Sequence, residues 1–233
     1  MSIIAANLQA VEATIGAAVR AAGRARHEVQ LLAVSKTFPA EAVLEAMASG
    51  QRAFGENYLQ EALDKIENVA QAQPDNEVEW HFIGPIQSNK TRQIAASFDW
   101  VHTVERLKIA QRLSEQRPPE LGPLNVCLQV NISGEASKSG VGEADLPDLA
   151  RAVAQLPNLR LRGLMAIPQR EADGARQRAA FGRLRQMRDA LRADGLELDT
   201  LSMGMSGDMA AAIAEGATIV RIGSAIFGAR NYD

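Results

Sequence analysis

The chain has 233 residues, 46% of them hydrophobic and 23% charged, with a formal net charge of -3. That length and apolar content support an extensive core in one large α/β domain or two small ones, and they exclude disorder. The charge balance provides no broad basic field for nucleic acid or an anionic membrane, while leaving room for a local anion site.

In chain order, Ile4, Leu8, Val11, Ile15 and Val19 recur at helical spacing with Glu12 among them, which predicts an amphipathic helix rather than a signal peptide. Strand-like apolar runs then alternate with helical patterns. The predicted strands are Val29 to Ser35, Arg52 to Gly55, Glu79 to Ile83, Trp100 to His102, Leu124 to Val130, Arg160 to Leu164, Glu197 to Leu201 and Ala217 to Ile222. Between them lie amphipathic stripes: Leu59, Leu63, Ile66 and Val69; Leu146, Leu149, Val153 and Leu156; Phe181, Leu184, Arg188 and Leu191. Asp145 is a candidate N-cap, Pro39 opens a helix, Pro157 stops one, and Gly50 and Gly195 suit helix ends. Nothing marks a domain boundary, and no run of about 18 apolar residues is present to span a bilayer.

Eight strands alternating with helices is the count of a single (β/α)8 TIM barrel, here with an additional N-terminal helix, and the length is close to the ~250 residues usual for that fold. A doubly wound open sheet is the competitor, weakened because no G-x-G-x-x-G follows any strand. Barrel sites collect where strands end. In "LLAVSKTFPA" (residues 31 to 40), Lys36 stands at the end of the first strand, either a solvated strand end or an amine presented for chemistry.

The C-terminal quarter, "LSMGMSGDMAAAIAEGATIVRIGSAIFG", is more specific. Ser206 follows the seventh strand and is placed to cap a helix beginning near Gly207; Gly223 and Ser224 follow the eighth. Helix N-termini converging after strands seven and eight form the usual phosphate corner of this fold. The alternative is capping serines with turn glycines. Asp208 complements a helix dipole but would repel a phosphate, so it is expected to point away. Arg221 inside "TIVRIG" needs an ion-pair partner, water or a ligand heteroatom, since a guanidinium stays charged. A lysine amine, an anion cradle and an interior arginine together match the needs of pyridoxal phosphate.

Other chemistries fit less well. "GMSGD" lacks the second glycine of a nucleophile elbow, and His27, His81 and His102 make no metal-binding pattern. Cys127 is the only cysteine, in the apolar run "LNVCLQV"; it reads as a small buried hydrophobe and fits a reducing compartment, so a cytoplasmic location is expected. "NKT" at 89 to 91 and "NIS" at 131 to 133 read as chance glycosylation patterns.

At these residues the chain resembles the pyridoxal phosphate homeostasis protein family, also called the YggS/PROSC family. The matching motifs run nearly end to end: "AVSKT" with Lys36, "FGENYLQE" with Asn57, "WHFIGPIQSNK" with His81, "VNISGEASKSG" with Lys138, "GLMAIP" with Met165, "SMGMSGDM" with Ser202 and Ser206, and "VRIGSAIFG" with Arg221, Gly223 and Ser224. The resemblance implies one barrel domain over residues 1–233, like the N-terminal domain of alanine racemase, with the cofactor as a Schiff base on Lys36. It implies that Ser206, Gly223 and Ser224 hold the phosphate, that Arg221 faces the pyridine nitrogen, and that Asn57, His81 and Ser202 line the pocket. Ser224 stands where threonine is more usual, with the hydroxyl kept. Lys138 has no role derived for it.

The implied activity is carriage, buffering and supply of the cofactor in vitamin B6 homeostasis, without known turnover. Arginine opposite the ring nitrogen weakens the electron sink, and no length remains for the second domain that supplies a racemase with its tyrosine; Tyr58 and Tyr232 are the only tyrosines. Two alternatives stay open: a pyridoxal phosphate enzyme of the barrel type, such as an amino-acid racemase or decarboxylase, and an interaction module sensing the ligand. The expected partners are pyridoxal phosphate and apo forms of enzymes that depend on it. Nucleic acid and membrane are not expected, and the chain is expected to be a monomer or weak dimer.

Overall fold

The computed structural model describes residues 2–75, 77–134, 139–169 and 171–229. Its strands are β1 (Gln30–Val34), β2 (Ala53–Glu56), β3 (Glu79–Phe82), β4 (Trp100–Val104), β5 (Leu124–Gln129), β6 (Leu159–Met165), β7 (Thr200–Ser202) and β8 (Ile219–Ile222). They are parallel and hydrogen-bonded in sequence order, and β8 pairs back onto β1 to close the barrel. Closure excludes the doubly wound sheet. The TIM barrel and its additional N-terminal helix are therefore as expected from the sequence.

The helices are α1 (Ile3–Ala21), α2 (Ala40–Ala48), α3 (Leu59–Ala72), α4 (Thr91–Ser97), α5 (Leu107–Gln116), α6 (Leu146–Ala154), α7 (Gly174–Ala193), α8 (Met209–Ala214) and α9 (Ser224–Phe227). The short α9 cannot cover β8 by itself, and α1 fills the gap. Leu8, Val11, Ile15 and Val19 of α1 are buried, and the helix packs on α2, α8 and α9. Asn7 donates from Nδ2 to the Ile226 carbonyl at 2.9 Å, and Arg24 donates to the carbonyls of Ile213 and Ala217 at 2.9 and 2.8 Å.

Strand alternation divides the core in two. Outward-facing residues such as Leu31, Ala33, Phe82 and Val220 join the helices in a large sheet–helix layer. Leu32, Ala53, Trp100, Cys127, Met165 and Ile219 form a smaller cluster inside the barrel, with Ile83 against it. Polar side chains share that interior, among them His81, His102, Ser202 and Arg221, all buried.

Local differences from the sequence expectations have physical reasons. The seventh strand begins at Thr200 rather than Glu197, because Leu198 donates back to the Leu196 carbonyl and leaves the ladder. Leu63 of α3 is only half-buried, and the inward line of that helix runs through Ala62, Lys65 and Val69. Asp145 precedes α6 without its side chain capping it. Ser206 does not cap α8; Asp208 occupies that position, and its Oδ1 accepts from the Met205 amide at 2.6 Å.

Candidate functional site

Lys36 lies in the turn after β1, half-buried, and the next residue adopts left-handed backbone, with Thr37 at φ 68°. That conformation is unfavourable for a β-branched residue, and such strain persists only where surrounding contacts over-determine it. Here the contacts come from a buried polar brace. Glu61 Oε1 accepts from the Thr37 amide at 2.7 Å. Lys65 Nζ donates to Glu61 at 2.9 Å, to the Ser35 carbonyl at 2.9 Å and to Glu56 Oε1 at 2.6 Å. Ser35 Oγ donates to the same Glu56 oxygen at 2.6 Å. Burial pushes the Glu56 carboxyl above its ordinary range, against the opposing pull of Lys65 and Ser35. The residues on both sides of Lys36 are thus tied to β2 and α3.

Across the barrel mouth, Arg221 projects inward from β8, 5% exposed. It donates from Nη1 to Ser202 Oγ at 2.8 Å and from Nη2 to the Ala166 carbonyl at 3.0 Å. Among the described residues no carboxylate forms a salt bridge with it. Burial draws its pKa down to about 10, partly offset by Asp208, so the group remains cationic at neutral pH.

The loops after β7 and β8 complete the rim. Ser206, Gly207 and Ser224 are exposed, and Gly223 is buried beside them at the start of α9. Asn57 follows β2, and its Oδ1 is buried without a protein partner. Its placement depends on Gly84: a Cβ there would sit 2.1 Å from the Asn57 carbonyl oxygen.

These groups border one cavity of about 520 Å³, lined by Lys36, Asn57, Ser206, Arg221, Gly223 and Ser224 together with apolar Val34, Ile83, Met165, Ile167 and Met205. The volume suits a small-molecule ligand. An amine, a guanidinium and two hydroxyls converging on a cleft of mixed polarity can bind an anionic, planar carbonyl compound. Asp208 also borders the cavity, with its carboxylate accepting from the Met205 amide.

Two of the expected site residues lie beneath the cavity rather than among its lining. His81 is one layer deeper in β3, and alternation gives the cavity position to Ile83, two residues on. Ser202 is inward-facing but covered by Arg221. Lys138 and Tyr232 lie outside the described residues. The brace of Ser35, Glu56, Glu61 and Lys65 went unrecognised in sequence, because its members come from three separate elements.

The family described as the alanine racemase N-terminal domain matches residues 6–231. A pyridoxal phosphate homeostasis protein of Pseudomonas aeruginosa is 66% identical over 100% of this chain and 98% of its own, and one of Escherichia coli is 57% identical over 100% and 99%. Among solved structures, PipY of Synechococcus elongatus with PLP bound is 36% identical, with a TM-score of 0.83 over 97% of this chain and 100% of its own. Alanine racemase of Corynebacterium glutamicum shares the fold at 21% identity and a TM-score of 0.70, over 96% of this chain and 59% of that one. No helix among the described residues is long and apolar enough to cross a membrane. With near-complete matches at this identity, the chain belongs to the pyridoxal phosphate homeostasis proteins, within the alanine racemase N-terminal domain family.

Proposed function

We propose that this protein binds pyridoxal 5'-phosphate as a Schiff base on Lys36 and acts in intracellular vitamin B6 homeostasis, buffering the cofactor and supplying it to apo-enzymes. The observation that carries this reading is the convergence of Lys36, Arg221, Ser206, Gly223 and Ser224 on one cavity. When bound, the cofactor supplies an aldehyde that condenses with an amine, releasing water. The residues of the chain do the rest. The hydroxyls of Ser206 and Ser224, with Gly223 allowing close approach, are suited to phosphate oxygens. Arg221, cationic and held by Ser202 and Ala166, would present positive charge to the ring nitrogen and disfavour its protonation. Asn57 Oδ1, buried without a protein partner, would accept a hydrogen bond from a ligand hydroxyl. Val34, Ile83 and Met165 would help to exclude water from a bound ring.

Carriage rather than turnover is the reading favoured by the curated relatives, which are named pyridoxal phosphate homeostasis proteins. Among the described lining residues the ionisable side chains are Lys36, Glu171, Asp208 and Arg221, with no histidine, tyrosine or cysteine positioned for proton transfer to a substrate carbon. Ile167 and Met205 are exposed at the cavity, 44% and 37%, so the mouth is open for exchange. The buried, single Cys127 suits the reducing cytoplasm. The test mixes loaded protein with an apo-enzyme and, separately, with an amino-acid panel. Activation of the apo-enzyme by wild type but not by Lys36→Ala, with no change in chirality or carboxylate of the amino acids, is the expected result. Lys36-dependent turnover would establish the enzyme reading instead.

A further inference from the structure

A chain of side chains runs through the barrel interior from the site to the opposite mouth. Arg221 Nη1 lies 2.8 Å from Ser202 Oγ, which lies 2.7 Å from His102 Nδ1. His102 Nε2 is 2.8 Å from His81 Nδ1, and His81 Nε2 is 2.7 Å from Glu79 Oε1. Ser202, His81 and His102 are completely buried, whereas the Glu79 side chain is 40% exposed at the N-terminal rim, where Gln30 of β1 also donates to it at 2.8 Å. The rings are walled in: Trp100 stacks on His81 with centroids 5.4 Å apart and planes 7° from parallel, and Arg162 covers Trp100 at 4.7 Å.

Donor chemistry fixes the direction of every link. A guanidinium only donates, so Ser202 accepts from Arg221 and its own hydrogen goes to His102 Nδ1. His102, kept neutral by burial, then carries its proton on Nε2 and donates to His81 Nδ1. His81 carries its proton on Nε2 and donates to Glu79. The reverse tautomer at His102 would leave the buried Ser202 hydroxyl hydrogen without an acceptor, a costly defect. All four hydrogen bonds therefore point from cation to carboxylate, an alignment in which each bond polarises the next. The Glu79 carboxyl is held down at about 2, chiefly by His81, so it is the charged terminus at any ordinary pH.

We propose that Glu79, His81, His102 and Ser202 are positioning residues for Arg221, forming a one-way hydrogen-bond relay that locks the guanidinium in the cavity floor and couples the charge at the far mouth of the barrel to the ligand. The relay itself stands on this geometry, while its effect on pyridoxal phosphate rests on the function proposed above. It also accounts for both expected pocket residues that lie below the lining: they act through Arg221.

The test has two arms. In apo protein, ¹⁵N-histidine NMR at neutral pH reads the tautomers without any cofactor. Both His81 and His102 are expected to carry a proton on Nε2 and to accept at Nδ1; a proton on Nδ1 at either position overturns the relay. In protein loaded with pyridoxal phosphate, Ser202→Ala removes one of the two hydrogen bonds of Arg221 and is expected to weaken binding roughly 10-fold, with a shifted absorption maximum. Glu79→Ala is expected to shift both readouts in the same direction by less, and Ser202→Thr, which keeps the hydroxyl, to restore them. Unchanged affinity and spectrum in folded Ser202→Ala and Glu79→Ala overturn the coupling. If wild type binds no cofactor, the functional reading fails and the NMR arm alone decides the relay.

Discussion

Removing the ammonium of Lys65 tests whether the strained turn that presents Lys36 depends on the brace beneath it. The Lys65 and Glu56 side chains are 3% and 0% exposed, and Glu56 receives both its contacts on one oxygen, the other being buried without a partner. Lys65→Met keeps the aliphatic stem and leaves Glu56 with Ser35 alone, while the Ser35 carbonyl and Glu61 also lose a donor. Adding the three lost contacts separately would overstate the effect, because they share one group. Stripping one partner from a buried ion pair costs about 3–5 kcal/mol. For a chain of this size each kcal/mol is about 2–4 °C, so melting should fall by roughly 6–20 °C. In the variant, the native Glu56 carboxyl rises further above its unfolded value, so between those two values the native state holds more protons than the unfolded one. Stability of the variant relative to wild type therefore improves as pH falls and worsens as pH rises. Glu56→Gln should lose less, since Lys65 retains Glu61 and the Ser35 carbonyl. Calorimetry at pH 5 and pH 8 measures both effects. A Lys65→Met protein that melts within about 2 °C of wild type at pH 8, or whose deficit is the same at the two pH values, would refute the brace.

Gly84→Ala should displace Asn57, because the new Cβ meets its backbone at 2.1 to 2.8 Å; a loss of about 1–3 kcal/mol in denaturant titration, with weakened cofactor binding, is expected. Ser206→Ala combined with Ser224→Ala should weaken pyridoxal phosphate roughly 10- to 100-fold by titration while leaving unphosphorylated pyridoxal little affected. Equal losses for both ligands would remove the phosphate role. Cys127, buried and with its pKa pushed up to about 12 by desolvation, should resist a thiol reagent at pH 8 until the protein is unfolded. Rapid native labelling would contradict its position inside the barrel.

Much of the barrel was legible because its signal is local. The apolar runs and the stripe of α1 record which faces are buried, and loop residues such as Gly223 and Ser224 follow directly from the end of β8. The brace and the relay were not legible, because each is assembled from residues far apart in the chain. Ser35, just after β1, meets Lys65 of α3, and His102 and Ser202 are joined by a hydrogen bond spanning 100 positions. Alternation also decided the depth of His81: with Trp80 and Phe82 facing outward, His81 and Ile83 face inward, but which layer reaches the mouth depends on strand stagger around the barrel. Arg221 was identifiable as an anomaly in an apolar strand, while its partners, Ser202 and the Ala166 carbonyl, required the closed sheet.

The central claim is that Lys36 carries the cofactor. Protein incubated with pyridoxal phosphate, reduced with borohydride and digested should yield one phosphopyridoxyl adduct on the peptide containing Lys36, and the loaded but unreduced protein should restore activity to an apo-enzyme. Absence of the adduct, or its placement on another lysine with Lys36→Ala binding as wild type does, would contradict the account.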